Sequence, residues 1–230
     1  MNMSDHIKTI RENIERLLVE IPSSVTIVAA CKTRTVMEVN VAFEAGLRHF
    51  GHNYVQEAQA MLSQLSFKAE WHLIGHLQRN KTEEATQLFN SIDSVDSIRL
   101  VQELEKRSYQ QGKIIPVLME VNSGREENKS GALPENVEEL AFSISHQPHL
   151  RLEGLMTMGP RSGDPQESRL YFVETRRLFE RLASLNLANT SMRYLSMGMS
   201  NSYQIAIQEG ANMIRLGTAI FGESQNPGKN

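Results

Sequence analysis

The most constraining feature of this sequence is the alternation of short apolar stretches with amphipathic helical patterns, repeated eight times along the chain. Runs of apolar and β-branched residues predict buried strands. The clearest is 114–121, whose nearly continuous apolar character is typical of a parallel strand buried on both faces. No linker or change in composition interrupts the pattern. The sequence therefore predicts one α/β domain over residues 1–230, a (β/α)8 TIM barrel rather than an open doubly wound sheet.

The predicted elements follow one another closely. The strands are expected at 26–33, 48–53, 70–75, 91–96, 114–121, 150–158, 192–197 and 212–216. The helices between them are expected at 36–46, 54–65, 81–89, 97–111, 133–146, 166–185 and 202–209.

The two ends of the chain lie outside this repeat. Isoleucines and leucines recur at helical spacing over 4–20, so residues 1–24 are predicted to form an extra N-terminal helix and its linker. This helix would cover the position that a helix after the eighth strand would otherwise fill. Residues 224–230 are expected to form a flexible tail.

Charge and cysteine content narrow the class of protein. A net charge of −3, evenly mixed along the chain, argues against nucleic acid as the main partner. The one cysteine, Cys31, excludes an internal disulfide and fits a reducing compartment. No stretch resembles a signal peptide or a membrane span. We therefore expect a soluble cytoplasmic protein with no membrane or nucleic-acid partner.

The candidate functional residues lie where the predicted strands end, because TIM barrels place their chemistry at the carboxyl ends of the strands. Lys32 ends the first strand, where partial desolvation would lower its pKa and make its amine available for a Schiff base. The alternative is a lysine that reaches the surface from a strand end. The segments 198–200 and 217–218 are candidate anion sites, with Arg215 between them and Lys32. This arrangement would suit a phosphorylated cofactor that bears an aldehyde.

Two other chemically suggestive features have simpler interpretations. His72 and His76 are four residues apart, but a helix with the glutamate of a metalloprotease is missing, so they are predicted to lie in a strand-end loop without a metal. Cys31 adjoins Lys32, so strand alternation directs it to the opposite face, between the barrel and the helices. We expect Cys31 to be a small buried hydrophobe.

Several ordered segments resemble the pyridoxal phosphate homeostasis protein family over nearly the whole chain. They are 30–33, 49–57, 71–81, 94–97, 121–122, 129–131, 154–159, 195–200 and 214–222. The resemblance implies a barrel like the N-terminal domain of alanine racemase, with pyridoxal 5'-phosphate (PLP) held as a Schiff base on Lys32.

The resemblance also assigns roles to other residues. Ser200, Gly217 and Thr218 match phosphate-binding positions, Arg215 matches the arginine that faces the pyridine nitrogen, and Asn53 lies in a motif that lines the cofactor. The chain departs from the family pattern at Cys31, where serine is usual, and at His52, where glutamate is usual. The first departure is interpreted as a change in packing, and the second as a possible change in charge near the cofactor.

An arginine at the ring nitrogen shapes the expected function. Arginine only donates hydrogen bonds, so it favours an unprotonated nitrogen and a weaker electron sink, which argues against transamination but permits racemase-type chemistry. Alanine racemases take their second base from an added C-terminal domain, for which this chain has no room. The resemblance therefore implies a non-catalytic carrier involved in PLP homeostasis and amino- and keto-acid balance. We expect a monomer with PLP-dependent apoenzymes as recipients of the PLP.

Two alternatives stay open at this point. One is a PLP-dependent racemase or lyase whose second base comes from Tyr54, Tyr203 or a partner chain. The other is a Schiff-base aldolase of phosphorylated sugars on the same fold, since fold alone does not fix function.

Overall fold

The computed structural model describes residues 3–160 and 164–223, in which eight parallel strands close into a barrel in chain order. The strands are β1 (Thr26–Ala30), β2 (His49–His52), β3 (Glu70–Leu73), β4 (Ser91–Val95), β5 (Ile115–Val121), β6 (Leu150–Thr157), β7 (Thr190–Ser196) and β8 (Met213–Leu216). The helices are α1 (Met3–Glu20), α2 (Val36–Glu44), α3 (Val55–Leu62), α4 (Thr82–Leu88), α5 (Ile98–Gln111), α6 (Val137–Ser145), α7 (Ser168–Ser184), α8 (Tyr203–Gln208) and α9 (Thr218–Phe221). The predicted TIM barrel with an extra N-terminal helix is confirmed.

The element boundaries differ from the predicted ones by a few residues. β7 begins at Thr190, two residues before the predicted start, and 3-10 turns rather than α-helix open the segments before α4 and α6. The four-residue helix α9 was not predicted, because one turn is too short to show a helical period. The tail predicted at 224–230 lies outside the described residues.

Helix α1 packs against α2 and α9, the position expected for it beside the eighth strand. Its buried face carries Ile10, Ile14 and Leu17. Polar contacts fix its orientation: His6 Nε2 lies 3.0 Å from the Glu38 carboxylate on α2. Asn13 Nδ2 donates to a backbone carbonyl of α9 at 3.1 Å. α1 therefore closes the ring of helices next to β1 and β8. No helix in the described part of the chain is long and apolar enough to cross a membrane.

Strand alternation separates an outer core, between the strands and helices, from an inner core. The inner core is a compact cluster contributed by five different strands or their ends: Val28, Ile74, Leu118, Met156 and Met213. Because these residues meet across the barrel axis, the interior is a packed plug. It separates polar groups at the amino ends of the strands from those at the carboxyl ends.

The amino end of the barrel holds a chain of polar contacts. His49 Nδ1 lies 3.0 Å from His72 Nε2, and His72 Nδ1 lies 2.9 Å from Asp93 Oδ2. Ser91 Oγ donates to the other oxygen of Asp93 at 2.5 Å. The predicted location of His72 in a loop at the carboxyl ends is therefore wrong. His72 belongs to β3 and faces the interior, where its partners satisfy a buried carboxylate.

Gly154 occupies a point where β6 has no room for a side chain. Its φ is +154°, and a Cβ placed on it would lie 1.8 Å from the backbone oxygen of Tyr194 on β7. The register of β6 shifts here against both neighbouring strands. Glycine thus permits the irregular strand to approach β7 closely.

We expect Gly154→Ala to destabilise the fold by ~3 kcal/mol or more, because β6 and β7 must separate to admit the methyl group. Gly112→Ala is the matched control: Gly112 also has a positive φ, +61°, but a Cβ there meets nothing within 4 Å. The control should lose only about 1–2 kcal/mol from left-handed backbone strain. Urea unfolding of both variants measures the difference, and equal losses would contradict the close approach of β6 to β7.

Candidate functional site

The closure of the barrel brings Lys32 next to the end of β8. Val28 pairs with Arg215 and Ala29 with Leu216, so the two strands run side by side in register. The Cys31 N–H donates to Gly51 O at 2.8 Å, which extends the pairing of β1 with β2 to residue 31. Lys32 follows on the same strand face as Val28, which lines the interior. The lysine is therefore positioned at the mouth of the barrel beside β8.

Arg215 is buried and held in a fixed orientation. Its Nη1 donates to Ser196 O at 2.9 Å and to Ser196 Oγ at 2.7 Å, and its Nη2 donates to Thr157 O at 2.8 Å. Its Nε makes no hydrogen bond within residues 3–160 and 164–223. Burial lowers the pKa of Arg215 to about 10, although the negative charges of Asp93 and Glu120 act in the opposite direction and raise it. The guanidinium thus stays charged near neutral pH, and its Nε–H and one Nη2–H are left over as donors.

The loops after β7 and β8 are tied together by one hydroxyl. Ser200 Oγ accepts hydrogen bonds from the backbone N–H groups of Gly217 and Ala219, both at 3.1 Å. Thr218 lies between these two donors and is exposed. These two N–H groups are used within the protein and orient the Ser200 hydroxyl, which with the Thr218 hydroxyl is suited to donate to an anion. The three predicted phosphate-site residues, Ser200, Gly217 and Thr218, are therefore neighbours.

Asn53 is held at the mouth by the neighbouring loop. It directly follows β2 and is partly buried. A Cβ on Gly75, in the loop after β3, would lie 2.4 Å from Asn53 O and 2.6 Å from its Cα. Gly75 therefore lets the loop backbone press directly against Asn53, which limits where the asparagine side chain can go.

Glu120 is a buried acid that the sequence reasoning missed. It lies on β5, pairs with Met156 and is only 3% exposed. Ser130 Oγ donates to its Oε1 at 3.3 Å, whereas its Oε2 is buried without a hydrogen-bond partner in the described chain. Burial and the charge of Asp96 raise the pKa of Glu120 to about 7. Strand alternation could have identified Glu120, because it places this residue on the same interior face of β5 as Leu118.

The two departures from the family pattern lie on the outer face of the barrel wall. Cys31 is buried there, as predicted, and burial raises the pKa of its thiol, which stays protonated at neutral pH. His52 is also buried, and its ring stacks on Trp71 with centroids 5.9 Å apart. Burial lowers the pKa of His52 to about 4, so the ring is neutral. His52 adds no charge to the barrel mouth.

Comparisons with known proteins show the family to which the chain belongs. The sequence profile of the family described as alanine racemase, N-terminal domain, matches residues 6–225. A pyridoxal phosphate homeostasis protein of Aquifex aeolicus is 37% identical over 198 residues, covering 86% of each chain. A protein of the same name from Pseudomonas aeruginosa is 36% identical over 225 residues, covering 93% of this chain and 95% of the relative. This chain belongs to the pyridoxal phosphate homeostasis protein family.

Solved structures support the same membership. PipY of Synechococcus elongatus, a structure with PLP bound, superimposes with a TM-score of 0.85 at 32% identity and covers 93% of this chain and all of that one. Alanine racemase of Clostridium difficile superimposes with a TM-score of 0.79 at 14% identity, covering 97% of this chain but 58% of the racemase. The second likeness concerns the fold alone.

Glu120 gives a testable pH dependence. Its carboxyl binds a proton more tightly in the folded than in the unfolded chain, so folded stability falls as pH rises from 4.5 towards about 7. Glu120→Gln removes this loss. We expect the stability advantage of the variant over the parent to grow by about 3 kcal/mol between about pH 4 and about pH 8.

Denaturant unfolding across this pH range measures the effect. Glu127→Gln, at an exposed position, controls for the loss of one carboxylate. A stability difference for Glu120→Gln that does not change with pH would mean that Glu120 titrates like a solvated acid.

Proposed function

We propose that this chain is a single barrel domain that carries PLP through a Schiff base to the Lys32 amine and serves PLP homeostasis without catalytic turnover. The observation that carries the proposal is the register of β1 with β8, which pairs Val28 with the buried Arg215. Lys32 follows Val28 on the same strand face, at the barrel mouth beside the end of β8. Membership in the family and the PLP-bound structure of PipY support it. The bond forms when the neutral amine attacks an aldehyde and water leaves.

The donors around Lys32 fit the chemical groups of PLP. Ser200, Gly217 and Thr218 would hold the phosphoryl group with hydroxyl and backbone donors. Arg215 Nε would donate to the pyridine nitrogen, while its other nitrogens stay bonded to Ser196 and Thr157. When bound, PLP supplies an electrophilic aldehyde and an electron-withdrawing ring. Arg215 is charged and has no acceptor atom, so it would keep the ring nitrogen unprotonated. The ring would then be a weaker electron sink.

The structure offers little support for the racemase or lyase alternative. Racemisation requires bases on both faces of the reacting carbon. The hydroxyl of Tyr203, on α8, donates to the Glu20 carboxylate of α1 at 2.7 Å. Tyr54 is half exposed at the start of α3. Neither tyrosine lies on the interior strand face of Lys32, which favours a carrier over a catalyst.

The remaining features of the proposal concern the setting of the protein. We propose a cytoplasmic monomer that passes PLP to PLP-dependent apoenzymes. The net charge of −3 and the single buried thiol support this setting. The sugar-phosphate aldolase is disfavoured because an aldolase has no use for the buried arginine as a ring-nitrogen donor.

The absence of turnover has a direct experimental test. The PLP-loaded protein is incubated in deuterated buffer with a panel of amino acids, and exchange of the α-proton is followed by proton NMR. We expect exchange no faster than that caused by an equal amount of free PLP. Faster exchange of any one amino acid would establish the enzyme alternative.

Lys32→Ala tests the attachment. The parent protein is expected to show a visible absorption band and, after borohydride reduction, a PLP adduct on the peptide that contains Lys32. The variant should lose both. Lys129→Ala is the matched control, since the Lys129 amine donates to Glu126 and to Gly159 O and should leave the band unchanged. An adduct on a lysine other than Lys32 would refute the attachment.

The combined substitution Ser200→Ala and Thr218→Ala tests the phosphate contacts. A hydrogen bond to a charged group contributes ~1.5–3 kcal/mol, so PLP affinity should fall by about tenfold or more while the covalent attachment still forms. Absorbance titration of the PLP-free protein gives the affinity, and Ser184→Ala, on an exposed helix end, is the control. Affinity equal to that of the parent would reject the phosphate assignment.

A further inference from the structure

A cavity of about 660 Å³ lies outside the barrel wall, on the side of β1 and β2 opposite to the interior. Cys31 and His52 line it from the wall, and Arg34 and Val36 line it where the chain enters α2. Its volume falls within the range of small-molecule sites. Because Cys31 and Lys32 point to opposite faces of the same strand, this cavity is distinct from the mouth of the barrel.

The far side of the cavity is one face of α3. Glu57, Ala60, Met61 and Gln64 line it, and their spacing of three or four residues places them on one side of a helix. Met61 is buried, whereas Ala60 and Gln64 are exposed. The groove therefore has an apolar wall and opens to solvent along α3.

His52 is a polar group without a partner at this cavity. It is 1% exposed, and neither Nδ1 nor Nε2 has a hydrogen-bond partner in the described parts of the chain. A neutral imidazole has one donor and one acceptor, and leaving both buried and unsatisfied is unfavourable. A bound molecule with hydrogen-bonding atoms would relieve this.

Arg34 adds an unsatisfied donor with positive charge. Its Nη2 donates to Gly222 O at 2.7 Å, and its Nη1 lies 3.7 Å from the Glu38 carboxylate. Glu38 already accepts hydrogen bonds from the backbone and side chain of Thr35. Arg34 Nε is buried without a partner within residues 3–160 and 164–223. The wall of the cavity thus contains a charged N–H donor and a neutral imidazole, both buried and without a partner in the described residues.

We propose that this cavity binds a small molecule with an apolar chain that ends in a carboxylate. The carboxylate would accept hydrogen bonds from Arg34 Nε and the His52 ring, and the apolar chain would lie against Met61 and Val36. The carboxylate of Glu57 on the α3 side disfavours a second negative charge, so a monocarboxylate is selected over a dicarboxylate. A fatty acid, an apolar amino acid and an apolar 2-oxo acid share this chemistry.

Calorimetric titration of the PLP-loaded protein tests the proposal with hexanoate, leucine and 4-methyl-2-oxopentanoate. We expect saturable binding of at least one of them. The compound that binds most tightly shows whether the cavity takes a fatty acid, an amino acid or a 2-oxo acid. Hexylamine, which lacks a carboxylate, and adipate, which carries two, should each bind at least tenfold more weakly. Failure of all three monocarboxylates to bind, or equal binding of hexylamine, would overturn the proposal.

Substitutions locate the binding. Ala60→Trp should fill the groove and abolish binding, whereas Gln59→Trp, an equally exposed neighbour on another side of α3, should leave it unchanged. His52→Phe keeps the ring on Trp71 but removes both nitrogens, and should weaken binding about tenfold. Ala60→Trp and His52→Phe variants that bind as tightly as the parent would overturn the site.

Lys32→Ala separates this proposal from the proposed function. The variant lacks the amine that would hold PLP but retains every residue of the outer cavity, so it should bind the monocarboxylate with unchanged affinity. Loss of binding in Lys32→Ala would mean that the ligand occupies the barrel mouth, and would overturn the outer site even if PLP attachment to Lys32 is established.

Discussion

The pairing of β1 with β8 is the interaction on which the site depends. Lys32 and Arg215 are far apart in the chain, and the register that pairs Val28 with Arg215 brings both residues to the carboxyl ends of adjacent strands. Ser200 holds the other side of β8, since its hydroxyl in the loop after β7 accepts two backbone N–H groups from the segment that follows β8. A barrel that failed to close would not bring the Lys32 amine and the proposed phosphate site to one mouth.

The electrostatics of the interior follow from the burial of Arg215. A buried guanidinium needs acceptors, and the carbonyls of Ser196 and Thr157 supply them from the two preceding strands. Neutral acceptors leave the positive charge uncompensated. Glu120 and Asp93 provide negative charge inside the barrel, which raises the pKa of the guanidinium against the effect of burial. Because the pKa of Glu120 is itself about 7, the interior charge around Arg215 changes near neutral pH.

Strand and helix periodicity was sufficient to predict the barrel, and reading the strand ends placed Lys32 and Arg215 at the carboxyl ends of their strands, while the roles proposed for them come from the family resemblance. The same procedure misplaced His72, although the predicted strand and β3 both begin at Glu70. The pattern of one strand does not show its register with the next, and His72 pairs with Ser91, the first residue of β4. The procedure also missed Glu120, whose significance comes from neighbours on other strands rather than from its own segment. The outer cavity could not be predicted from the sequence either, since it depends on the distance between α3 and the barrel wall rather than on any local pattern.

The register of β2 decides which of its side chains face the barrel interior and which face the outer side of the wall. A slip of one residue would exchange the faces, bringing Phe50 or His52 to the interior in place of Gly51. Gly51 has no space for even a methyl group, since a Cβ there would lie 2.8 Å from Ile74 Cδ1 and 3.1 Å from Val28 Cγ1. Neither ring fits such a position. The packed inner core therefore accepts only Gly51 at this point of β2, which places Asn53 at the mouth and His52 at the outer cavity.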